Sequence, residues 1–480
     1  MKKLPLLWGL TCLSIQPILI NAQQKWDLKR CVSYAVENNI SVKQADVQAR
    51  ISALTLKQSK LAQIPTLAFS GSEGVNSGLH QNPTNFTLIT SSYFSGTYQL
   101  QSGVNVFNFF NQRYNIAGNE FAYLAANANT DKLKNDISLN VANAYLQFLL
   151  TTEQAKAAAL QLSQSQAQLL NTQKQVNTGT LPELNAAELE SQVAQDSSTM
   201  VTANANVEQA ALTVKAYMSL DAAAPFELDT PPVDQIPVEN IADLQPQVVY
   251  ALALQNQPLQ KYDQLQLKSA TKYADAARAA MYPTVSLYGG IGSAYISQAQ
   301  TYGVVTAAPP TYPVGTVTVS GVPYDVYSTI PQVQTVSKNQ GYFSQLNQNL
   351  AEQVGISLSV PIFNGGTLRT NYLKSRLTVS NYELQQLQDN LTLKQNIYQA
   401  YNAAVSAFEK FQANKITVSA TKRSYDYAQK RYNVGLLNTI DLLTNQNNYF
   451  RATIDLLSSQ FDYVFKMKVL EFYKGLGIKL

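Results

Sequence analysis

Residues 429–437 read Gln429-Lys430-Arg431-Tyr432-Asn433-Val434-Gly435-Leu436-Leu437, and residues 173–181 read Gln173-Lys174-Gln175-Val176-Asn177-Thr178-Gly179-Thr180-Leu181. Five of these nine positions are identical, at an offset of 256. Each copy stands between long polar-apolar segments free of proline and nearly free of glycine. Asn-x-Gly is a helix stop, because glycine takes the left-handed conformation past a last turn at little cost. A helix start follows each stop. Thr180-Leu181-Pro182-Glu183 offers an N-cap, a first-turn proline and a capping-box glutamate. Asn438-Thr439-Ile440-Asp441 is a similar start. Each copy therefore reads as the tip between two antiparallel helices, and the chain as a tandem repeat.

The repeat extends outward from the tips. Phe363, Asn364, Arg369, Asn371, Asn396, Ala400 and Tyr401 match Phe107, Asn108, Arg113, Asn115, Asn140, Ala144 and Tyr145 at the same offset of 256. Further upstream the offset is 218, with Ala253, Asn256, Pro283 and Gly289 matching Ala35, Asn38, Pro65 and Gly71. The difference places an insertion within 295–348, a Tyr-, Pro-, Gly- and Thr-rich stretch that reads as a long loop, with room for a short hairpin. Two repeats, 23–218 and 246–480, flank a proline-rich linker or strap at 219–245.

Hydrophobic period gives the elements. Residues 26–63 read as one helix with a stripe of Val32, Ala35, Val36, Ile40, Val47, Ile51, Leu54 and Leu61, from which Val42 and Ala45 fall away. Residues 66–71 begin a strand, and the Gly-, Ser- and Asn-rich 72–95 reads as loop. Tyr98, Leu100, Val104 and Val106 alternate with Gln99, Gln101 and Asn105, a strand with one apolar side. From 112 to 177 Val141, Phe148, Ala155, Leu162, Leu169 and Val176 recur every seven residues, with small residues three further on, the period of a coiled coil. At ~1.5 Å per residue that helix is roughly 100 Å long. Ile397, Ala404, Phe411, Val418, Tyr425 and Tyr432 repeat the line in the second half. Val354, Ile356, Leu358, Val360 and Ile362 form the clearest strand.

The chain has 480 residues, two cysteines and one histidine. Residues 1–22 read as a secretory signal peptide, with a basic start, an apolar run from Leu4 to Ile20 and a small residue at Ala22. Gly9-Leu10-Thr11-Cys12 lacks the leucine that usually stands three residues before a lipid-attached cysteine. Cys31 then stands alone, so no internal disulfide is expected. Without Lys2 and Lys3 the balance is 33 basic to 31 acidic residues, which is no footprint for nucleic acid. No later run has the roughly 20 apolar residues of a spanning helix. His80 has no partner cluster and reads as a loop residue. Neither a catalytic group nor a metal or cofactor site emerges from the scattered acids.

Each half thus reads as helix, strand, loop, strand, long helix, tip, helix. Four strands of about ten residues suit a bilayer-crossing wall, apolar outside and polar inside. Four cannot close such a barrel, and an open edge in lipid leaves backbone groups unpaired. Three chains supply twelve strands around a water-filled interior. The expected fold is mainly α with a shared β-barrel.

The secretion signal, the duplicated plan, the strand ends Phe107-Asn108 and Phe363-Asn364-Gly365-Gly366 and the Asn-x-Gly-x-Leu tips together resemble the TolC family of outer-membrane efflux proteins. The resemblance covers nearly all of the chain after residue 22. It implies a homotrimer in the lipid of a Gram-negative outer membrane, a twelve-stranded barrel continued by an α-helical tunnel into the periplasm. It also implies docking to a periplasmic adaptor and an inner-membrane transporter, for efflux or type I protein secretion. A soluble periplasmic coiled-coil scaffold, the reading from another class, has no need of four apolar-faced strands.

The resemblance also assigns residues. Asp441 matches an aspartate facing the narrow periplasmic aperture, where three copies form an acidic ring. A second family aspartate is replaced by Thr444. Asn185 stands where some members have an acid bonded across to a tyrosine, and Tyr432 is its expected partner here, without charge. Leu437 takes the place of a basic residue. Gly179, Thr180, Leu181, Gly435, Leu436 and Leu437 are the expected adaptor-contact surface, exposed because no core is expected at a tip.

Overall fold

A computed structural model describes residues 25–83, 86–233, 236–309 and 312–475, with only the backbone at 304–307 and 332–335. The signal-peptide expectation for residues 1–22 lies outside them. The first half runs α1 (Leu28–Asn38), α2 (Ile40–Leu61), β1 (Thr66–Gln81), β2 (Leu88–Phe107), α3 (Asn111–Asn177) and α4 (Glu183–Met218). The second runs α5 (Pro246–Asn256), α6 (Pro258–Ala279), β3 (Thr284–Ile296), four short strands, α7 (Tyr342–Gln348), β8 (Ala351–Ser359), α8 (Thr367–Asn433) and α9 (Thr439–Tyr473). The repeat is metrical: α2 and α6 have 22 residues each, and α3 and α8 have 67 each.

Two compact units cut across the repeats, each drawing on both. The first holds Met1–Ile51, Tyr123–Gln266 and Tyr382–Leu480. Its cores follow the heptad lines: Val141, Tyr145 and Phe148 of α3 pack with Cys31, Val214 and Met218, and Ile397 and Ala404 of α8 pack with Leu244, Val249, Met467 and Leu470. The small line of Ala144, Thr151, Ala158, Ser165 and Thr172 is buried throughout. Residues 219–245 carry Phe226, Leu228, Ile236 and Val238 onto the first of these cores. Burial pushes the Cys31 thiol up to about 12, so it is an inert apolar filler.

The expected single helix over 26–63 is two. Asn39, with φ −58° and ψ 131°, breaks it and caps α2 through Oδ1, which accepts from the Ser41 N–H at 2.9 Å. Its Nδ2 donates to the Tyr217 carbonyl at the end of α4, at 2.8 Å. Gln257 breaks α5 from α6 in the same way and donates Nε2 to the Phe472 carbonyl at the end of α9, at 2.9 Å. A polar residue at a helix break thus satisfies an orphan carbonyl of another helix, once per repeat. The expected stripe on α2 is also inverted. Val42, Ala45 and Ala49 are buried, while Ile40, Val47, Ile51, Leu54 and Leu61 are exposed on the single chain.

The second unit, Ser52–Ala122 with Leu267–Asn381, holds the sheet. Its order is β1-β2-β3-β8, every pair antiparallel. The expected loop at 72–95 is mostly strand. β1 and β2 stay in register from Thr66↔Gly103 to Gln81↔Leu88. Composition misleads there because the polar side chains are satisfied laterally, Ser72 to Thr97 at 2.8 Å, Asn76 to Ser95 at 2.7 Å and Ser77 to Ser92 at 2.9 Å. The four strands therefore have 16, 20, 13 and 9 residues rather than ten each, and Val360 and Ile362 lie past the end of β8. The insertion is built rather than loose: β4 (Gln300–Ala307) pairs with β7 (Gln332–Asn339), and β5 (Gly315–Val319) with β6 (Val322–Val326). His80 lies in β1, its Nε2 2.7 Å from the Gln298 side-chain oxygen.

Candidate functional site: helical tips and sheet faces

Both tips close by the same hydrogen bonds. Gly179 donates to the Val176 carbonyl at 2.8 Å and Thr180 to that of Gln175 at 2.9 Å. The second copy repeats this, Gly435 to Tyr432 at 2.9 Å and Leu436 to Arg431 at 2.8 Å. These are the paired bonds of a Schellman stop, and the glycines take φ of 72° and 75°. The helix starts differ. Asn438 caps α9, its Oδ1 accepting from the Asp441 N–H at 2.7 Å, as expected. Thr180 does not cap α4; the N-cap is Pro182, which offers no side-chain bond, and the Thr180 hydroxyl lies 3.1 Å from that of Thr178.

The tips have a core of their own. Tyr425, Ala428, Tyr432 and Leu442 are buried together, with Leu181, Leu437 and Tyr449 against them. The rings of Tyr425 and Tyr449 stack with centroids 5.9 Å apart. Burial raises the Tyr425 phenol, helped by the charge of Asp426, so it is neutral at physiological pH. Leu181 and Leu437 are therefore half-buried against this cluster, where full exposure was expected. The exposed apolar side chains are Leu184, Val434, Leu436 and Ile440.

Tyr432 does not reach Asn185. Its hydroxyl lies 3.0 Å from Thr172 Oγ1, both side chains buried, and this bond joins the second hairpin to the first. Asn185 is half-buried, and its backbone N–H meets the Pro182 carbonyl at 3.1 Å. Asp441 and Thr444 are exposed, with Thr444 bonded to the Ile440 carbonyl at 2.8 Å. A second buried link went unread in the sequence. Ser165 Oγ donates to Asp196 Oδ2 at 2.5 Å and accepts from Gln446 Nε2 at 2.9 Å. Gln192 Nε2 supports the other oxygen of Asp196 at 2.8 Å. Ser165 lies on the small-residue line, which marked it as buried without revealing a partner.

In the sheet, register assigns each side chain to a face. Leu67, Phe69, Leu100, Val104, Leu287, Ile291, Val354, Ile356 and Leu358 share one, and most of them are exposed. The other carries Ala68, Ser70, Gln99, Gln101, Asn105, Ser286, Tyr288, Gln353 and Ser357. No Asp, Glu, Lys or Arg of these four strands lies on the polar face. Glu73 is on the apolar face, where its carboxylate accepts from the Tyr98 hydroxyl and from that of Tyr342, at 3.1 Å for the latter. Among the described residues no helix is long and apolar enough to cross a membrane, which leaves the strands as the elements suited to lipid.

The family described as outer membrane efflux protein matches residues 31–219 and 249–464, nearly the whole of both repeats. The chain belongs to this family. Outer membrane efflux proteins of known structure share its fold. It is similar to CusC with a TM-score of 0.74 at 18% identity, covering 94% of this chain and 92% of that one. It is similar to VceC of Vibrio cholerae with a TM-score of 0.73 at 14% identity, covering 94% and 97%. Among curated relatives it is 32% identical over 126 residues to alkaline protease secretion protein AprF of Pseudomonas aeruginosa, 26% of either chain. It is 25% identical over 263 residues to probable efflux pump outer membrane protein TtgC of Pseudomonas putida, 54% of this chain. The matches span 26% and 42% of those two relatives' own length.

Proposed function

We propose that this chain is the outer-membrane exit duct of a tripartite efflux system, acting as a homotrimer with a periplasmic adaptor and an inner-membrane transporter. The observation that carries the reading is the sheet: four antiparallel strands, one face apolar and exposed, one polar and free of Asp, Glu, Lys and Arg, with the outer edges of β1 and β8 unpaired among the described residues. An exposed apolar face needs lipid, and two free edges need other strands. Three copies meet both needs with a twelve-stranded ring whose polar faces line the lumen. The exposed stripe of α2 has the same meaning, as a surface for a neighbouring copy.

At the helical end, three copies of Asp441 form an acidic ring at the aperture, with Thr444 beside it and Tyr432 and Asn185 shaping the tips behind it. Exposed Leu436, with Gly179, Thr180 and Gly435, offers the adaptor a contact surface. The likeness to AprF supports protein secretion as a second cargo for the same duct. Extraction from outer membranes into detergent tests the reading. A heat-resistant trimer that conducts ions in a planar bilayer is expected. A water-soluble monomer without conductance sinks it.

A further inference from the structure

β3 outruns its outer partner. β8 pairs with it only as far as Ala351, opposite Gly292, while β3 continues to Ile296. Backbone groups beyond that point are met by amide side chains from α7 and the residue after it. Asn349 Nδ2 donates to the Ala294 carbonyl at 2.7 Å. Gln345 Oε1 accepts from the Ile296 N–H at 3.0 Å, and Gln345 Nε2 donates to the Ile296 carbonyl at 3.0 Å. The same Nε2 donates to the Gln340 carbonyl at 3.0 Å, and Gln345 is only 1% exposed. Ser293 Oγ donates to the Leu346 carbonyl at 2.7 Å. An amide side chain offers a donor and an acceptor, as a peptide unit does. Gln345 and Asn349 therefore continue the ladder where β8 stops, and α7 takes the place of a longer β8.

That place has a second side. Residues two apart on a helix stand about 160° from each other, so Phe343 and Asn347 face away from the edge that Gln345 holds. Both are exposed, Phe343 at 82%. The helix is not free to turn Phe343 inward. Next to it the Tyr342 hydroxyl lies 2.6 Å from that of Tyr98 and donates to Glu73 Oε1 at 3.1 Å, so α7 is held from two directions.

The sheet indicates what covers the outer side. β1 and β8 are its two edges, and β1 is the longer. Where β1 of one copy lies beside β8 of the next, the far end of that β1 comes alongside α7 instead of β8. Val75 and Leu79, on the apolar face of that far end, are exposed on the single chain. The free backbone groups of a strand edge need partners, and Gln345 and Asn349 show how amides at this helix supply them.

We propose that α7 is a contact between copies: Phe343 packs on Val75 and Leu79 of the next copy, and the Asn347 amide meets the free edge of the same β1. The proposal rests on the trimeric reading of the sheet and adds to it a helix-to-strand seam beyond the end of β8.

The test places the photoreactive residue p-benzoylphenylalanine at position 347 of the full chain. Outer membranes are irradiated, products are separated on denaturing gels after boiling, and the crosslinked peptides are located by mass spectrometry. A covalent dimer is expected, linked within Thr66–Gln81. Links only to lipid, or only within one chain, from a sample that runs as a heat-resistant trimer before boiling overturn this contact and leave the trimer standing. A sample that forms no trimer overturns both. The double variant Phe343→Ser with Asn347→Ala alters only side chains that point away from their own β3 edge. It is expected to assemble, and to fall apart into monomers at a lower temperature than wild type. An unchanged dissociation temperature overturns the proposal as well.

Discussion

The Tyr432 hydroxyl and Thr172 Oγ1 lie 3.0 Å apart inside the tip, and 260 residues of chain separate them. Tyr432 stands in one copy of the repeated stretch and Thr172 one residue before the other. Their bond is one of the buried links that join the two hairpins into a single end. Thr172→Val leaves the shape and removes the partner, stranding a buried phenol at a cost of about 1–3 kcal/mol. The variant is expected to leave the trimer intact and to raise the frequency of open events in single-channel recordings. An unchanged open probability separates this bond from gating.

Asp441 is exposed in the first turn of α9, its N–H held by Asn438. Three such carboxylates at a constriction bind multivalent cations. Asp441→Ala is expected to weaken block of the current by a trivalent cation at least about tenfold, with little change in stability. Undiminished block removes Asp441 from the aperture.

Leu436 and Leu437 are neighbours with opposite environments. Leu436 is 68% exposed, and Leu437 is half-buried against the cluster of Tyr425, Ala428, Tyr432 and Leu442. Leu436→Lys is expected to impair export while leaving the melting temperature within about 2 °C. Leu437→Ala is expected to destabilise the tip by about 1–2 kcal/mol, read as a lower midpoint of unfolding. Normal export by Leu436→Lys counts against adaptor docking there.

Gly475 ends α9 with φ of 71°, and a Cβ on it meets Asn256 Cβ at 2.7 Å and the Asn256 carbonyl carbon at 2.9 Å. The matching residue of the first repeat, Ser219, also has positive φ, at 54°. Gly475→Ala is expected to cost more than about 2 kcal/mol, since strain and overlap add. Ser219→Gly is expected to be neutral or slightly stabilising by thermal unfolding.

Asp263 gives a pH dependence of defined sign. Its carboxyl is raised to about 6 by burial, then by Asp389, above the usual range near 3.9. The folded state therefore holds a proton that the unfolded chain has released. Its contribution is present below about pH 4 and lost as pH rises through about 6, on the order of 3 kcal/mol. The difference in melting temperature between wild type and Asp263→Ala, followed from pH 4 to 7, is expected to shift in favour of the variant. A difference constant across that range excludes the coupling.

The duplication was legible because identical residues recur at fixed offsets, and the long helices because a seven-residue line survives over six positions in each half. The face of α2 was misread for a physical reason. Ile40, Val47, Ile51, Leu54 and Leu61 are its larger apolar residues, yet the single chain buries Val42, Ala45 and Ala49. Small residues admit close helices, and the large ones are left to a surface outside the chain. Ser72 to Ser95 read as loop because composition does not register hydrogen bonds between strands. The tip core was missed because Tyr425 and Tyr449 meet only when two helices fold back, and Thr172 was seen as small without its partner. The Asn39 break carried no glycine or proline to announce a stop, whereas Pro258 marks the one at Gln257.

β1 has 16 residues and β8 has 9, and they are the two edges of the sheet. In a ring closed by laying β1 of one copy beside β8 of the next, about seven residues of every β1 stand above the neighbour's rim with no strand alongside. The mouth is then notched three times rather than level. Each notch leaves a short run of backbone donors and acceptors on β1 that a level rim would have paired.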